Sequence, residues 1–196
     1  PILELKLKKY KFLIIEKRSS FGGCWNDALD TSQLQTDKTY YKFNNIDYDK
    51  SVGNFPNKKQ MLDYFTKVIN YYKLESHVIY NANANIIYNS LLNKWKIELV
   101  RNRYKSFIIS KYVLYCGGDN SKPKYPKIDI YLDKGLETDI VINKKKCIDN
   151  KMKILHSKYV NLFLKNNKHN CNFLKKKKIV IVGNSASGCD ILKYLQ

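Results

Sequence analysis

An α/β fold built on parallel strands is predicted by three stretches of this sequence. The first is C-terminal: four lysines from Lys175 lead into Ile179-Val180-Ile181-Val182, a β-branched apolar run with the pattern of a strand buried on both faces. Gly183-Asn184-Ser185-Ala186-Ser187-Gly188 then turns the chain, and Cys189 to Leu195 has the apolar spacing of a helix. The second is Phe12-Leu13-Ile14-Ile15, another buried-strand run, which ends at Glu16. The third is a series of short β-rich segments between Val78 and Cys116.

Strand, small-residue loop and helix in immediate succession form the phosphate-gripping half of a dinucleotide-binding unit. That chemistry asks for Gly183 in the tight turn, a small residue where backbone nears a pyrophosphate, and Gly188 where helix packs closely on strand. Ser185 stands at the middle position, where glycine is usual; its hydroxyl can donate to a phosphate, and Ser187 lies in the same loop. The alternative is an ordinary strand-to-helix turn of an α/β domain. An acid closing the second strand of such a unit is placed to bond ribose hydroxyls, and Glu16 has that position.

Taken in order, the chain opens with alternating apolar residues and lysines from Leu3 to Tyr10, then the strand run to Glu16. Phe21-Gly22-Gly23-Cys24-Trp25-Asn26 follows, and two glycines before tryptophan fit backbone lying against a flat ligand; a plain turn with Trp25 packed in the core is the alternative. Leu34 to Tyr48 is irregular and reads as a surface excursion carrying Tyr40, Tyr41 and Phe43. Asn57 to Gln60 has capping-box spacing, and Met61, Leu62, Phe65, Val68, Ile69 and Tyr72 share one helical face. Strands are expected at 78–80, 86–88, 95–100 and 106–109, the last two forming a hairpin that turns near Asn102. A buried run from Tyr112 to Cys116 stops at Gly117-Gly118, Asp129 to Lys153 reads as connecting loop, and His156-Ser157 marks re-entry toward the last strand.

Composition narrows the function classes. The 196 residues fit one domain or slightly more. Lys and Arg number 36 against 17 Asp and Glu, a net charge of +19, which attracts polyanions where it is clustered. Here it is scattered, and the short clusters Lys144 to Lys146 and Lys175 to Lys178 read as solvated loops, so no nucleic-acid partner is expected. Five cysteines (Cys24, Cys116, Cys147, Cys171 and Cys189) lie far apart with no C-x-x-C pair, which excludes a zinc ribbon, a secreted disulfide framework and a dithiol reductase. His77 and His169 are expected at the surface, with no metal site. No transmembrane segment or signal peptide is read, and the expected compartment is intracellular, the cytoplasm.

With these pieces in order, the chain resembles the flavin-containing monooxygenases of the N,N-dimethylaniline monooxygenase kind, particularly those of plants and fungi. The resemblance is carried by Glu16-Lys17 with Phe21 to Asn26, Leu34-Gln35-Thr36, Phe55-Pro56 with Asp63-Tyr64, Cys116-Gly117-Gly118 with Pro123 and Pro126, His156-Ser157, and Val182 to Asp190. It implies a FAD/NAD(P)-binding, Rossmann-like fold of two dinucleotide-binding domains, incomplete, with a β-meander or hairpin insertion. Residues 1–155 would be a partial FAD-binding domain whose first glycine loop precedes Pro1, and 156–196 the start of a truncated NADPH-binding domain.

Carried over by resemblance, Glu16 would bind the FAD ribose, Gly22, Gly23 and Trp25 would lie near the flavin, and the loop with Gly183, Ser185, Ser187 and Gly188 would hold the NADPH pyrophosphate. The chain departs from the family around His156, where Asn150 and Met152 precede it and Tyr159 comes one place early. Asp37 stands where many members carry an asparagine beside the flavin. The implied activity uses NADPH and O2 to oxygenate a soft nitrogen or sulfur of a small molecule. The alternatives are an inactive, degenerate flavoprotein fragment and a basic, non-enzymatic polyanion-binding domain.

Overall fold

The structure is a computed structural model that describes residues 8, 10–43, 45–118, 155–166, 174, 177–183 and 185–196. Its first sheet is a parallel pair: β1 (Ile14–Ile15) lies beside β2 (Val78–Ile79), with Ile14 opposite Val78 and Ile15 opposite Ile79. Between them run the 3-10 turns η1 (Gly23–Asn26) and η2 (Lys38–Tyr41), the helix α1 (Lys58–Tyr71) and a third 3-10 turn, η3 (Glu75–His77). A helical crossover between parallel neighbours is the connection that parallel pairing requires.

The start of α1 is fixed by its predicted capping box. The Asn57 side chain accepts from Gln60 N at 3.0 Å, and the Asn57 backbone N–H donates to Gln60 Oε1 at 2.9 Å. From there Met61, Tyr64, Val68 and Ile69 are buried along one face, with Tyr72 and Leu74 just beyond. They meet Leu34, Ile46 and Tyr48 from the preceding segment, and Phe12, Phe21, Trp25, Val52 and Phe65 pack round this cluster. Tyr48 stacks on Tyr64 with ring centroids 3.8 Å apart, and the Tyr64 hydroxyl donates to Ile46 O while accepting from Phe43 N. The stretch from Leu34 to Tyr48 is therefore only partly the surface excursion expected: Tyr40 is exposed, while Leu34, Ile46 and Tyr48 belong to the core.

The second sheet is an antiparallel meander of three strands, β3 (Asn83–Asn89), β4 (Lys94–Arg101) and β5 (Tyr104–Ser110), in chain order. Ile97 is flanked by Ile86 on one side and Ile108 on the other. This period-2 alternation buries Ile97 and Leu99 and leaves Lys96 and Glu98, an ion pair, on the opposite face. The hairpin expected near Asn102 is present: Asn102 and Arg103 both have positive φ, the conformation whose twist matches a tight hairpin.

Past the meander, α2 (Ser157–Asn166) and α3 (Ala186–Leu195) complete the described elements. Two expected buried strands are absent here. From Tyr112 to Cys116 no strand forms, and Tyr112, Leu114 and Tyr115 are exposed; Ile179 to Val182 likewise forms no strand, with Val180 and Val182 more than 80% exposed. Apolar runs become buried strands only when a neighbour supplies ladder bonds and cover, and no described segment pairs with either. The N-terminal run is likewise shorter than expected, since only Ile14 and Ile15 pair and Leu13 is exposed. His77 is half-buried and stacks on Phe12 at 4.5 Å, a correction to its expected surface position. The readings at Leu3 to Leu7, Pro123, Pro126, Asp129 to Lys153 with Lys144 to Lys146, His169, Cys147, Cys171 and Asn184 lie outside the described residues.

Candidate functional site

At the carboxyl end of β1 the chain keeps its alignment with the segment after β2. Glu16 N donates to Ile79 O at 2.9 Å, Ala82 N to Glu16 O at 3.1 Å, and Asn81 N to Arg18 O at 3.0 Å. The Glu16 carboxylate turns back on its own chain, with Oε1 accepting from Arg18 N at 2.7 Å. Ligands of open parallel sheets bind outside the carboxyl ends of their strands, and Glu16 stands there.

The glycine turn that follows is closed by a residue that pattern reading passed over. The Arg18 guanidinium grips both oxygens of Asp27, at 2.9 and 2.5 Å, so the loop between them is tied at its two ends. Asp27, first by that hydrogen bond, holds the Arg18 pKa above its ordinary value. Nothing in the sequence marks this pair, because the two residues meet only once the loop has turned. Within the loop Gly22 has φ +120° and Gly23 φ +52°, both in the region that favours glycine.

The two glycines answer different demands. A Cβ on Gly22 would stand 2.6 Å from Leu62 Cδ2, so Gly22 lets the loop press against α1, whereas a Cβ on Gly23 would meet nothing within 4 Å. Trp25, in η1, is half-buried against the core cluster, and Asn26 Nδ2 donates to Phe21 O. Between this loop and α1 lies an open cavity of about 390 Å³ walled by Phe21, Leu62, Phe65 and Ile69, with Glu75 and Tyr80 at one side. The Tyr80 hydroxyl donates to the Glu75 carboxylate, whose oxygens lie 3.0 Å away.

Asp37 caps η2. Its carboxylate accepts from Thr39 N at 2.9 Å and from Thr39 Oγ1 at 2.7 Å, and these bonds, the hydroxyl's first, hold its pKa below the ordinary carboxylate value.

The C-terminal loop keeps part of its expected form. Gly183 has φ +101°, Ser185 occupies the N-cap position of α3 without spending its side chain on a cap bond, and Ser187 is exposed in the first turn. A Cβ on Gly188 would overlap the Gly183 carbonyl oxygen and touch Ile181 Cγ2, so α3 lies close to the turn that precedes it, although the segment it approaches is not the strand the sequence predicts. A Cβ on Gly183 would project into open space, leaving room for a ligand over the turn.

Further contacts join α2 and α3 to the first half of the chain. Asn161, buried on α2, donates from Nδ2 to Ala28 O at 2.7 Å, and Lys193 on α3 donates to Gln33 Oε1 at 3.0 Å. No group of three or more His, Cys, Asp and Glu side chains able to hold a metal occurs among the described residues. Cys24, Cys116 and Cys189 are exposed and in no disulfide among the described residues.

The chain is similar in structure to OTEMO in complex with FAD and NADP, at 19% identity with a TM-score of 0.57, covering 64% of this chain and 24% of that one. The S-allyl-L-cysteine S-oxygenase of Allium sativum gives a TM-score of 0.58 at 16% identity over 64% of this chain and 35% of its own. An oxidized steroid monooxygenase bound to NADP gives 0.56 at 13% identity, over 65% and 25% of the two chains. The chain shares its fold with part of these monooxygenases. It spans about a quarter to a third of their length. No family model matches the sequence, and no curated protein matches it. The mixed α/β architecture expected from the sequence thus stands, and among the described residues no helix is long and apolar enough to cross a membrane.

Proposed function

We propose that this chain is part of a flavin-dependent monooxygenase, with residues 1–155 contributing to the FAD site and residues 156–196 opening the NADPH site. One observation carries the reading: a parallel strand pair delivers Glu16 to its carboxyl end, directly before a glycine turn braced by the Arg18–Asp27 pair. A fold shared with structures that hold FAD and NADP supports it.

The residues present fit both cofactors. Among the described residues Glu16 Oε2 accepts no hydrogen bond, so it can take a ribose hydroxyl while Oε1 stays on Arg18 N. Gly23 leaves its Cβ space open toward a flat ligand, and Trp25 is fixed at the same turn. At the second loop, Gly183 leaves room for a pyrophosphate, the first N–H groups of α3 have no intrahelical acceptor, and the hydroxyls of Ser185 and Ser187 add donors. Flavin held there, with NADPH as reductant and O2 as oxidant, would supply the redox chemistry. The protein's own work is to bind, orient and exclude water; Trp25 and the loop packed on α1 contribute the last. The substrate class in this reading is a small molecule with a nucleophilic nitrogen or sulfur.

Purified full protein carrying this chain is expected to show the yellow flavin spectrum, to oxidise NADPH slowly alone, and to oxidise it faster with a tertiary amine or thioether. Flavin binding without any stimulated NADPH oxidation turns the reading to an inactive flavoprotein. Absence of flavin under every condition removes the monooxygenase reading. Binding to a polyanion that weakens steeply and linearly in log salt then favours the basic, non-enzymatic alternative.

A further inference from the structure

We propose that Asn161 is a positioning residue for the Gly22–Trp25 turn, acting through the carbonyl of Ala28. Ala28 lies two residues past the end of η1, and both Asp27 N and Ala28 N donate to Cys24 O, so its carbonyl moves with the turn. That oxygen accepts two bonds of 2.7 Å, one from Lys58 Nζ on α1 and one from Asn161 Nδ2 on α2. A carbonyl has two lone pairs, and here both are used.

The donors are unusual in their burial. Lys58 is 7% exposed and Asn161 is 7% exposed, whereas the other lysines among the described residues lie mostly at the surface. Lys58 also reaches Asp30 at 3.0 Å, so its ammonium is met by a carboxylate as well as by the carbonyl, as a buried charge demands. Lys165, one helical turn beyond Asn161 on α2, approaches the same Asp30 at 3.8 Å. Two helices far apart in sequence therefore clamp one short segment, 28–30, immediately after the turn that bears Gly22, Gly23 and Trp25. A shift of α2 is carried to that turn chiefly through the Ala28 carbonyl, with the longer Lys165–Asp30 contact beside it.

The experiment uses the full protein with Trp95→Phe, which removes the tryptophan on β4 and leaves Trp25 as this chain's own reporter. Asn161→Leu keeps the shape of the side chain and removes the donor, while Asn161→Gln keeps the amide. The leucine variant is expected to red-shift Trp25 emission and to raise its collisional quenching by about fivefold in the open fraction of the loop, the scale of one lost hydrogen bond. The glutamine variant is expected to recover most of that change, and the melting temperature is expected to move little in either. Unchanged Trp25 emission and quenching in Asn161→Leu overturns the inference, as does an equal change in the glutamine variant. If the leucine variant fails to fold, Asn161→Ala carries the same readings.

A second arm rests on the flavin reading above: FAD affinity is expected to fall in parallel with Trp25 ordering. A protein that binds no FAD defeats that reading and leaves the fluorescence test intact. FAD affinity that is unchanged while Trp25 loosens overturns the inference for the cofactor.

Discussion

Gly188 packs its α-carbon against the carbonyl of Gly183, and a Cβ at position 188 would overlap that oxygen. The contact closes the loop between segment 179–182 and α3, and it is backbone that must give way to any side chain. Gly188→Val is therefore expected to push α3 away from the turn and to weaken NADPH by at least tenfold while leaving FAD bound, because the two cofactors use separate loops in the proposed reading. Nucleotide titration and flavin absorbance measure the two independently. Loss of flavin with NADPH affinity intact would mean that the C-terminal loop belongs to FAD.

Glu16 makes the opposite prediction. Its carboxylate sits at the end of β1 with one oxygen on Arg18 N. Glu16→Gln keeps an acceptor for that bond and weakens the grip on a ribose hydroxyl, so FAD affinity is expected to fall by about tenfold, the scale of a charged hydrogen bond lost. NADPH affinity should not change. Equilibrium dialysis of flavin against the variant checks it, and unaltered FAD binding removes Glu16 from the site.

Burial on α1 separates two neighbouring residues sharply. Ile69 is 8% exposed within the core cluster, whereas Lys67 is surface-borne and pairs with Asp49 at 2.7 Å. Ile69→Asp places an unpaired carboxylate in that core and is expected to cost about 3 kcal/mol or more. Lys67→Ala loses an exposed ion pair and should cost under about 1 kcal/mol. Denaturant midpoints of the two variants give the comparison, and equal losses would contradict the orientation of the helix.

How far the sequence could be read follows from what each element depends on. The capping box at Asn57, the apolar face of α1 and the Asn102 hairpin are local in origin, since spacing and turn residues decide them, and all three are present. The runs at Tyr112 to Cys116 and Ile179 to Val182 have the same local signature as buried strands but depend on a neighbour to pair with, which local pattern does not supply. At the candidate site, Glu16 and the glycine turn could be found from order and residue type. Arg18, Asp27 and Asn161 could not, because their partners lie nine to well over a hundred residues away and no periodicity links them. Lys58 was visible only as part of a cap; its burial follows from the Ala28 carbonyl and Asp30 meeting it from another segment.

Alkaline pH tests the aromatic core. The Tyr48 phenol is pushed up to about 12, by burial first and then by neighbouring Tyr64 and Tyr41, and its hydroxyl donates to Tyr41 O at 3.0 Å. Burial also raises Tyr64, stacked on it, and burial followed by Glu75 raises Tyr80. In each case the fold holds its proton more tightly than the unfolded chain, whose phenols release theirs near pH 10. This contribution is fully present below pH 10, where both states are protonated, and is lost as pH rises toward 12, where the unfolded chain gains by ionising. Stability is therefore expected to be flat in this respect up to pH 9 and to fall between pH 10 and 12. Tyr48→Phe should lower stability at pH 8 by about 1 kcal/mol, one buried hydrogen bond, and should also make the alkaline fall shallower, because one of the groups that drives it is gone. Urea midpoints at pH 8 and pH 11 for both proteins decide the matter: parallel losses in the two would mean that Tyr48 ionises as readily in the fold as outside it, and that the stacked pair with Tyr64 is open to water.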